Sequence, residues 1–289
     1  MNADERGFFT VKKTFSQSDF DRFAVLSGDD NPIHVDPDFA RRTKYGRTVA
    51  HGMFLYSSVC AALNKLIPGM AQLEQEMMFP HPTFTAEEVT ISLKLVETDV
   101  DGIVAVETVV SRPDGNVGLQ GKTWVVGERS SVIGERYAAG REFAAADQGL
   151  VYQGLQVGQQ ASETRAFTTA DVAEYVALVG DENARYMAGG IVPGGLLGGM
   201  FSDLLGTRLP GRGTNWLKQR LIFPRAAKVG EEITAVVAIT RIRPPQALVN
   251  LRTTCTNPAG ELVCIGESLV LINELEQTNE NWEIRRLGD

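Results

Sequence analysis

The chain has 289 residues, 43% of them hydrophobic and 22% charged, with a formal net charge of -8. That balance is of a folding chain rather than a disordered one, and the length exceeds the usual single domain of roughly 100–200 residues. An acidic surface repels nucleic acid and anionic lipid, so neither is an expected partner.

The opening stretch MNADERGFFTVKK is charged and lacks an apolar centre, so it does not read as a secretory signal; the expected compartment is the cytoplasm. Ser16 and Asp19 have the spacing of a capping box with an acidic partner. They open a predicted helix with Phe20, Phe23 and Ala24 on its apolar face, and Gly28 stops it. GDDNPIH (28–34) follows, made of turn formers and holding one of only three histidines. Arg41, Arg42, Lys44 and Arg47 form a basic group ahead of His51-Gly52. That pair begins a second helix, MFLYSSVCAALNKLI, apolar on nearly every side and so expected to be buried. The runs EVTISLKLVETD, GIVAVETVVSR and QGKTWVVG read as strands, and the alternation of Val89, Ile91, Leu93 and Leu95 suits an antiparallel sheet with one covered face.

Residues 128–158 read as a connector, after which the chain repeats itself. FTTADVAEYVALVGDENARY (167–186) matches FSQSDFDRFAVLSGDDNPIH (15–34) at a spacing of 152, Gly180 falling on Gly28, Asp181 on Asp29 and Asn183 on Asn31. PGGLL at 193 matches HGMFL at 51 at a spacing of 142, so the second copy lacks ten residues between the two blocks. The pair FP at 79 and 223 matches at 144, and PDG at 113 matches PAG at 258 at 145. EITAVVAITRIR, ALVNLRTTCTN and GESLVLI supply the second set of strands. The fold expected is α+β: two modules in tandem, each a long buried helix wrapped by an antiparallel sheet. Their bounds are 1–127 and 159–275, with a tail at 276–289.

Tyr186 to Ser202 is 17 residues without a charge, but six glycines and Pro193 make it a poor membrane span, and a bilayer needs about 20 residues. Cys60, Cys255 and Cys264 form no CxxC pair, which points to buried thiols and to no metal site.

GDDNPIH could be plain punctuation between helices. A chemical reading starts from Asp29 and His34, five apart across a proline bend, so that carboxylate and imidazole can converge, hold one water and exchange protons with it. Gly52, opening a helix, offers an amide without an internal partner to a developing oxyanion. His51 suits an orienting or capping part, and His81 a structural one.

With Phe23, Ser27, Asp29, Asn31, Pro32, Ile33, His34, His51, Gly52 and Met53 in this order, the chain resembles the MaoC-like dehydratases, or (R)-specific enoyl-CoA hydratases, of the hotdog fold. The resemblance implies a double hotdog and a hydro-lyase adding water to a trans-2-enoyl-CoA to give an (R)-3-hydroxyacyl-CoA, or the reverse. Asp29 and His34 would be the catalytic pair, their division into base and acid left open, and Gly52 the oxyanion donor. Asn31, His51 and Ser57 would support them, Ser57 standing where the family has a serine near the pair. No cofactor is implied beyond the coenzyme A of the substrate, and further association of chains is common in the family.

In the second copy His34 becomes Tyr186 and Pro32 becomes Ala184, and a phenol cannot replace imidazole near neutrality. That copy is expected to be inactive. The missing ten residues and the glycines around 194–199 suggest acyl space lined by Leu196, Leu197 and Met200, for a bulky or long acyl group. The same glycines could instead serve close packing. For the phosphates of coenzyme A, Arg47 of the first basic group and Lys218 and Arg220 of a second group with Arg225 are candidates, unless these are solvated faces. A hotdog thioesterase is disfavoured, because the buried helix of the first copy holds no carboxylate; a non-catalytic acyl-CoA-binding protein is the other alternative.

Overall fold

The computed structural model describes residues 8–98, 101–127, 132–147 and 150–274. The first copy runs β1 (Phe9–Thr14), α1 (Gln17–Ser27), α2 (Pro32–Val35), α3 (Pro37–Arg41), α4 (Gly52–Leu66), β2 (Ala71–Met78), β3 (Glu88–Thr98), β4 (Val104–Ser111) and β5 (Val117–Val126). Between the copies lie α5 (Val132–Ala139) and a small hairpin, β6 (Val151–Tyr152) and β7 (Leu155–Gln156). The second copy runs β8 (Gln160–Ala166), α6 (Thr169–Val179), α7 (Ala184–Met187), α8 (Gly194–Asp203), a π-helical turn (Leu204–Arg208), β9 (Asn215–Ile222), β10 (Glu232–Arg243), β11 (Leu248–Thr256) and β12 (Leu262–Leu271). The expected tail at 276–289 lies outside the described residues.

Local chemistry sets the entries and exits. Ser16 and Thr168 each accept a hydrogen bond from the backbone N–H three residues on, and Asp19 and Asp171 reach back to the cap amides. Gly28 and Gly180 end α1 and α6 with φ of 87° and 75°, a left-handed conformation that favours glycine.

Ten strands form one antiparallel sheet in the order β1-β3-β4-β5-β2-β9-β12-β11-β10-β8, five from each copy. On β3 the alternating face holds through Val89, Ile91 and Leu93, but Leu95 is exposed, next to a register shift that turns the strand end outward. The copies join at β2 and β9, where Glu76 stands opposite Arg220, the equivalent position 144 residues on. Arg22 on α1 and Glu174 on α6, also equivalent, are paired at 2.6 Å. Two identical chains would set like against like at both places; here each meeting is between opposite charges.

The two central helices pack against each other beneath the sheet, with Met53 to Leu63 of α4 continuously buried. The glycines of α8 permit that approach. A Cβ on Gly195 would fall on the Ser57 hydroxyl and the Tyr175 phenol, one on Gly198 would come within 2.6 Å of Met53 Sδ, and one on Gly199 within 2.9 Å of Ser27 Cβ. The close-packing reading of these glycines therefore holds at the start of α8. No described helix is long and apolar enough to cross a membrane, and the uncharged stretch 186–202 is divided between α7, a turn and α8.

Candidate active site

After Gly28 the chain leaves α1 and is held by its own side chains. Ser27 Oγ accepts from the Asp29 N–H at 3.2 Å, Asp29 Oδ1 from the Asn31 N–H at 3.3 Å, and Asn31 Oδ1 from the Ile33 N–H at 3.3 Å. Asn31 thus caps α2, with Pro32 in the first turn, where its missing N–H costs nothing. One turn later His34 Nδ1 lies 2.7 Å from the Val49 carbonyl. A carbonyl can only accept, so Nδ1 carries a proton, and Nε2 is the ring nitrogen turned toward Asp29.

Nε2 stands 3.8 Å from Asp29 Oδ2, beyond a direct hydrogen bond but within the span of one bridging water. Burial of Asp29 works to raise its carboxyl. Against this work the imidazoles of His34 and His51 wherever they carry charge, the Ser202 hydroxyl at 2.6 Å and the Asn31 amide; together they outweigh burial and hold the carboxyl below the usual range. His51, fully buried, donates from Nε2 to the Asp29 carbonyl at 2.9 Å. Burial lowers its pKa to about 3, so it stays neutral, and its ring stacks on that of His34 at 3.9 Å with 30° between the planes. It makes no side-chain cap to α4. Its part is to prop the Asp29 loop and the face of His34.

Gly52 begins α4, and the first amides bonded within the helix are those of Phe54 and Leu55, so the Gly52 N–H has no helical acceptor. A Cβ there would come within 3.0 Å of the Phe79 ring. Asp29, His34, Gly52 and Ser202 all line one cavity of about 510 Å³. Asp29, His34 and His51 offer ligand atoms within 4.8 Å of one another, the kind of cluster that can hold a metal. His51 gives its Nε2 proton to a carbonyl, and its Nδ1 is buried without a hydrogen-bond partner.

Other expectations for the site are corrected. Ser57 donates to Met53 O within its own helix and faces Gly195; the serine on Asp29 is Ser202, from the other copy. Leu196 and Met200 are wholly buried in the core, and Leu197 reaches only a second, smaller cavity, so none lines the space beside Asp29. The wall there comes from the π-helical turn after α8 through Leu205 and Gly206, from Thr214 and from Trp216 at the start of β9, and from Thr43, Lys44 and Tyr45, which belong to the ten residues the second copy lacks. Arg47 pairs with Glu87 and lies over the Phe84 ring, Arg220 bonds the buried Glu74 at 2.5 Å, and Lys218 is exposed on β9. None of these three cations lines the cavity; Lys44 does, paired with Glu274 at 2.5 Å. His81 also lines it, with Nδ1 donating to the Val117 carbonyl at 3.2 Å.

The smaller cavity, about 100 Å³, is the second copy of the first: Arg185 replaces Ile33, Tyr186 replaces His34, Gly194 matches Gly52, Phe223 matches Phe79 and Arg225 replaces His81. Asp181 is buried nearby, its carboxylate close to the Asn183 amide and the Tyr186 phenol but without a well-formed hydrogen bond to either.

Comparison with known proteins agrees with this geometry. A family model described as "MaoC like domain" matches residues 3–114. Over 128 residues the chain is 37% identical to the (R)-specific enoyl-CoA hydratase of Aeromonas caviae, covering 41% of this chain and 96% of that one. The chain belongs to the MaoC-like dehydratase family. Like its relatives it is a hydro-lyase. A solved MaoC-like dehydratase superimposes with a TM-score of 0.74 at 15% identity, over 92% of this chain and 98% of that one. A conserved hypothetical protein of Mycobacterium tuberculosis, described as a double hotdog, superimposes at 0.69 and 12% identity, over 94% and 96%. At such identities the likeness is one of fold, and this MaoC-like chain is a double hotdog.

Proposed function

We propose that the chain adds water, (R)-specifically, across the double bond of a trans-2-enoyl-CoA, or removes it in reverse, at the Asp29 and His34 site alone. The observation that carries this is the convergence of the Asp29 carboxylate and His34 Nε2, 3.8 Å apart, in a cavity that also holds the first amide of α4.

In the reacting form, with His34 protonated on Nδ1 alone, both groups accept hydrogen bonds and neither holds a proton to give at the outset. A water donating to both would have one proton taken as its oxygen bonds C3. The π electrons move onto the thioester oxygen, where the Gly52 amide meets the charge, and the same proton is then returned to C2. Hydroxyl and proton come from one side, giving syn addition. The atoms balance with water alone, so no cofactor enters the proposal. A cavity of about 510 Å³ falls in the range for ligands of substantial size, which favours an acyl group larger than four carbons.

Enoyl absorbance should fall on mixing with substrate, without release of free thiol; thiol release would indicate hydrolysis instead. Asp29→Asn and His34→Ala should each lower turnover by ~10²-fold or more, and unchanged turnover in both would remove the reaction from this site.

A further inference from the structure

We propose that Gly206 sets which acyl groups enter the site, by leaving open the space beside Asp29 that a side chain there would fill. This rests on the hydratase reading and names its substrate class: enoyl groups with bulk close to the double bond.

The central helices of the two copies span equal lengths and end differently. α4 is regular over its 15 residues, whereas the second copy has 10 α-helical residues and then 5 wound as a π-helix, a rare form that recurs at functional sites. Ser202, Leu205 and Gly206 of that end wall the large cavity; their equivalents Cys60, Leu63 and Asn64 do not reach the small one. The regular helix end accompanies a cavity of about 100 Å³, and the π-helical end one of about 510 Å³.

Glycine inside a helix is destabilising relative to alanine, and at Gly195, Gly198 and Gly199 packing against α4, α6 or α1 accounts for it. Gly206 has no such neighbour. A Cβ there would stand 3.5 Å from Asn31 Nδ2 and 3.5 Å from Asp29 Oδ1, ordinary contact distances, pointing at the site's carboxylate. Its carbonyl accepts from Asn31 Nδ2 at 3.3 Å, a backbone contact that any substituent preserves. A side chain at 206 would thus take up free volume next to the reacting carbons and leave the hydrogen bonds of the loop in place.

The test compares Gly206→Ala and Gly206→Val with the parent on crotonyl-CoA and on a γ-branched trans-2-enoyl-CoA. The ratio of kcat/KM, branched over crotonyl, should fall ~10-fold in the alanine variant and further in the valine variant, one misplaced methyl being worth ~10-fold or more in a fitted pocket. An unchanged ratio, with both substrates affected alike, overturns the proposal. Equilibrium binding of the saturated γ-branched acyl-CoA and of butyryl-CoA separates it from the hydratase reading. A parent that hydrates neither enoyl substrate ends that reading, while the shift in binding ratio between parent and Gly206→Ala still decides the role of Gly206. Circular dichroism and Tm should show the alanine variant folded and no less stable than the parent.

Discussion

The hydroxyl of Ser202, on α8, donates a 2.6 Å hydrogen bond to Oδ2 of Asp29, which follows α1 in the other copy. The exchange is mutual: Asn31 Nδ2 donates to Gly206 O, and Asn183 Nδ2 donates to Met70 O at 3.0 Å. Each copy's polar loop is completed by the other copy.

Removing the Ser202 donor withdraws a bond to the ionised form of Asp29 and so raises its pKa. Ser202→Ala should lower kcat/KM by ~10-fold, in keeping with a hydrogen bond to a charged group. The acidic limb of its pH profile should move to higher pH. A profile superimposable on the parent's would show that the bond does not act on Asp29.

Asp181 marks the second copy. Burial pushes its carboxyl from 3.8 up to about 6, against weaker pulls from the Asn183 amide, the Tyr186 phenol and Lys65. Because the folded value exceeds the unfolded one, its stabilising contribution is full below 3.8 and is lost as pH rises through about 6. Asp181→Asn should therefore gain ~2–3 kcal/mol at about pH 8 and little at about pH 4, with hydration unchanged. Urea melts at the two pH values check this.

His51 has the opposite sign. Its folded pKa of about 3 lies below the unfolded 6.5, so its contribution is present above 6.5 and is lost as pH falls toward 3. His51→Phe keeps a ring against His34 and gives up the donor to the Asp29 carbonyl. Its Tm should fall less steeply on acidification than the parent's, while kcat drops ~10-fold with a smaller change in KM. His51→Gln, which retains a donor, should recover part of that kcat.

Gly195 serves as the contrast to Gly206. A methyl there would strike the Ser57 hydroxyl and the Tyr175 phenol. Gly195→Ala should cost ~1–3 kcal/mol through overpacking and lower Tm, without separating small from branched substrates. A selective loss of the branched substrate would mean that the start of α8 bounds the acyl space after all.

Much of the fold is legible along the chain because its cues are short-ranged. The Ser16 and Thr168 caps, the glycine stops at 28 and 180 and the apolar length of α4 are decided within a few residues. The strands β2 (AQLEQEMM) and β9 (NWLKQRLI) are not legible in this way, being rich in residues that favour helices. They become the centre of the sheet because each copy offers an edge and the two edges pair.

The site divides along the same line. GDDNPIH, His51-Gly52 and the loss of imidazole at Tyr186 are properties of the sequence, since turn chemistry and the ordinary pKa values of imidazole and phenol need no distant partner to be read. The meeting of Asp29 with Ser202, the openness left by Gly206 and the diversion of Arg47 and Arg220 into ion pairs were decided by the tertiary structure. Those contacts join residues from 40 to 177 positions apart, and only the packing of one copy's helix under the other copy's loop, or of strand against strand, selects which of many chemically suitable side chains arrives.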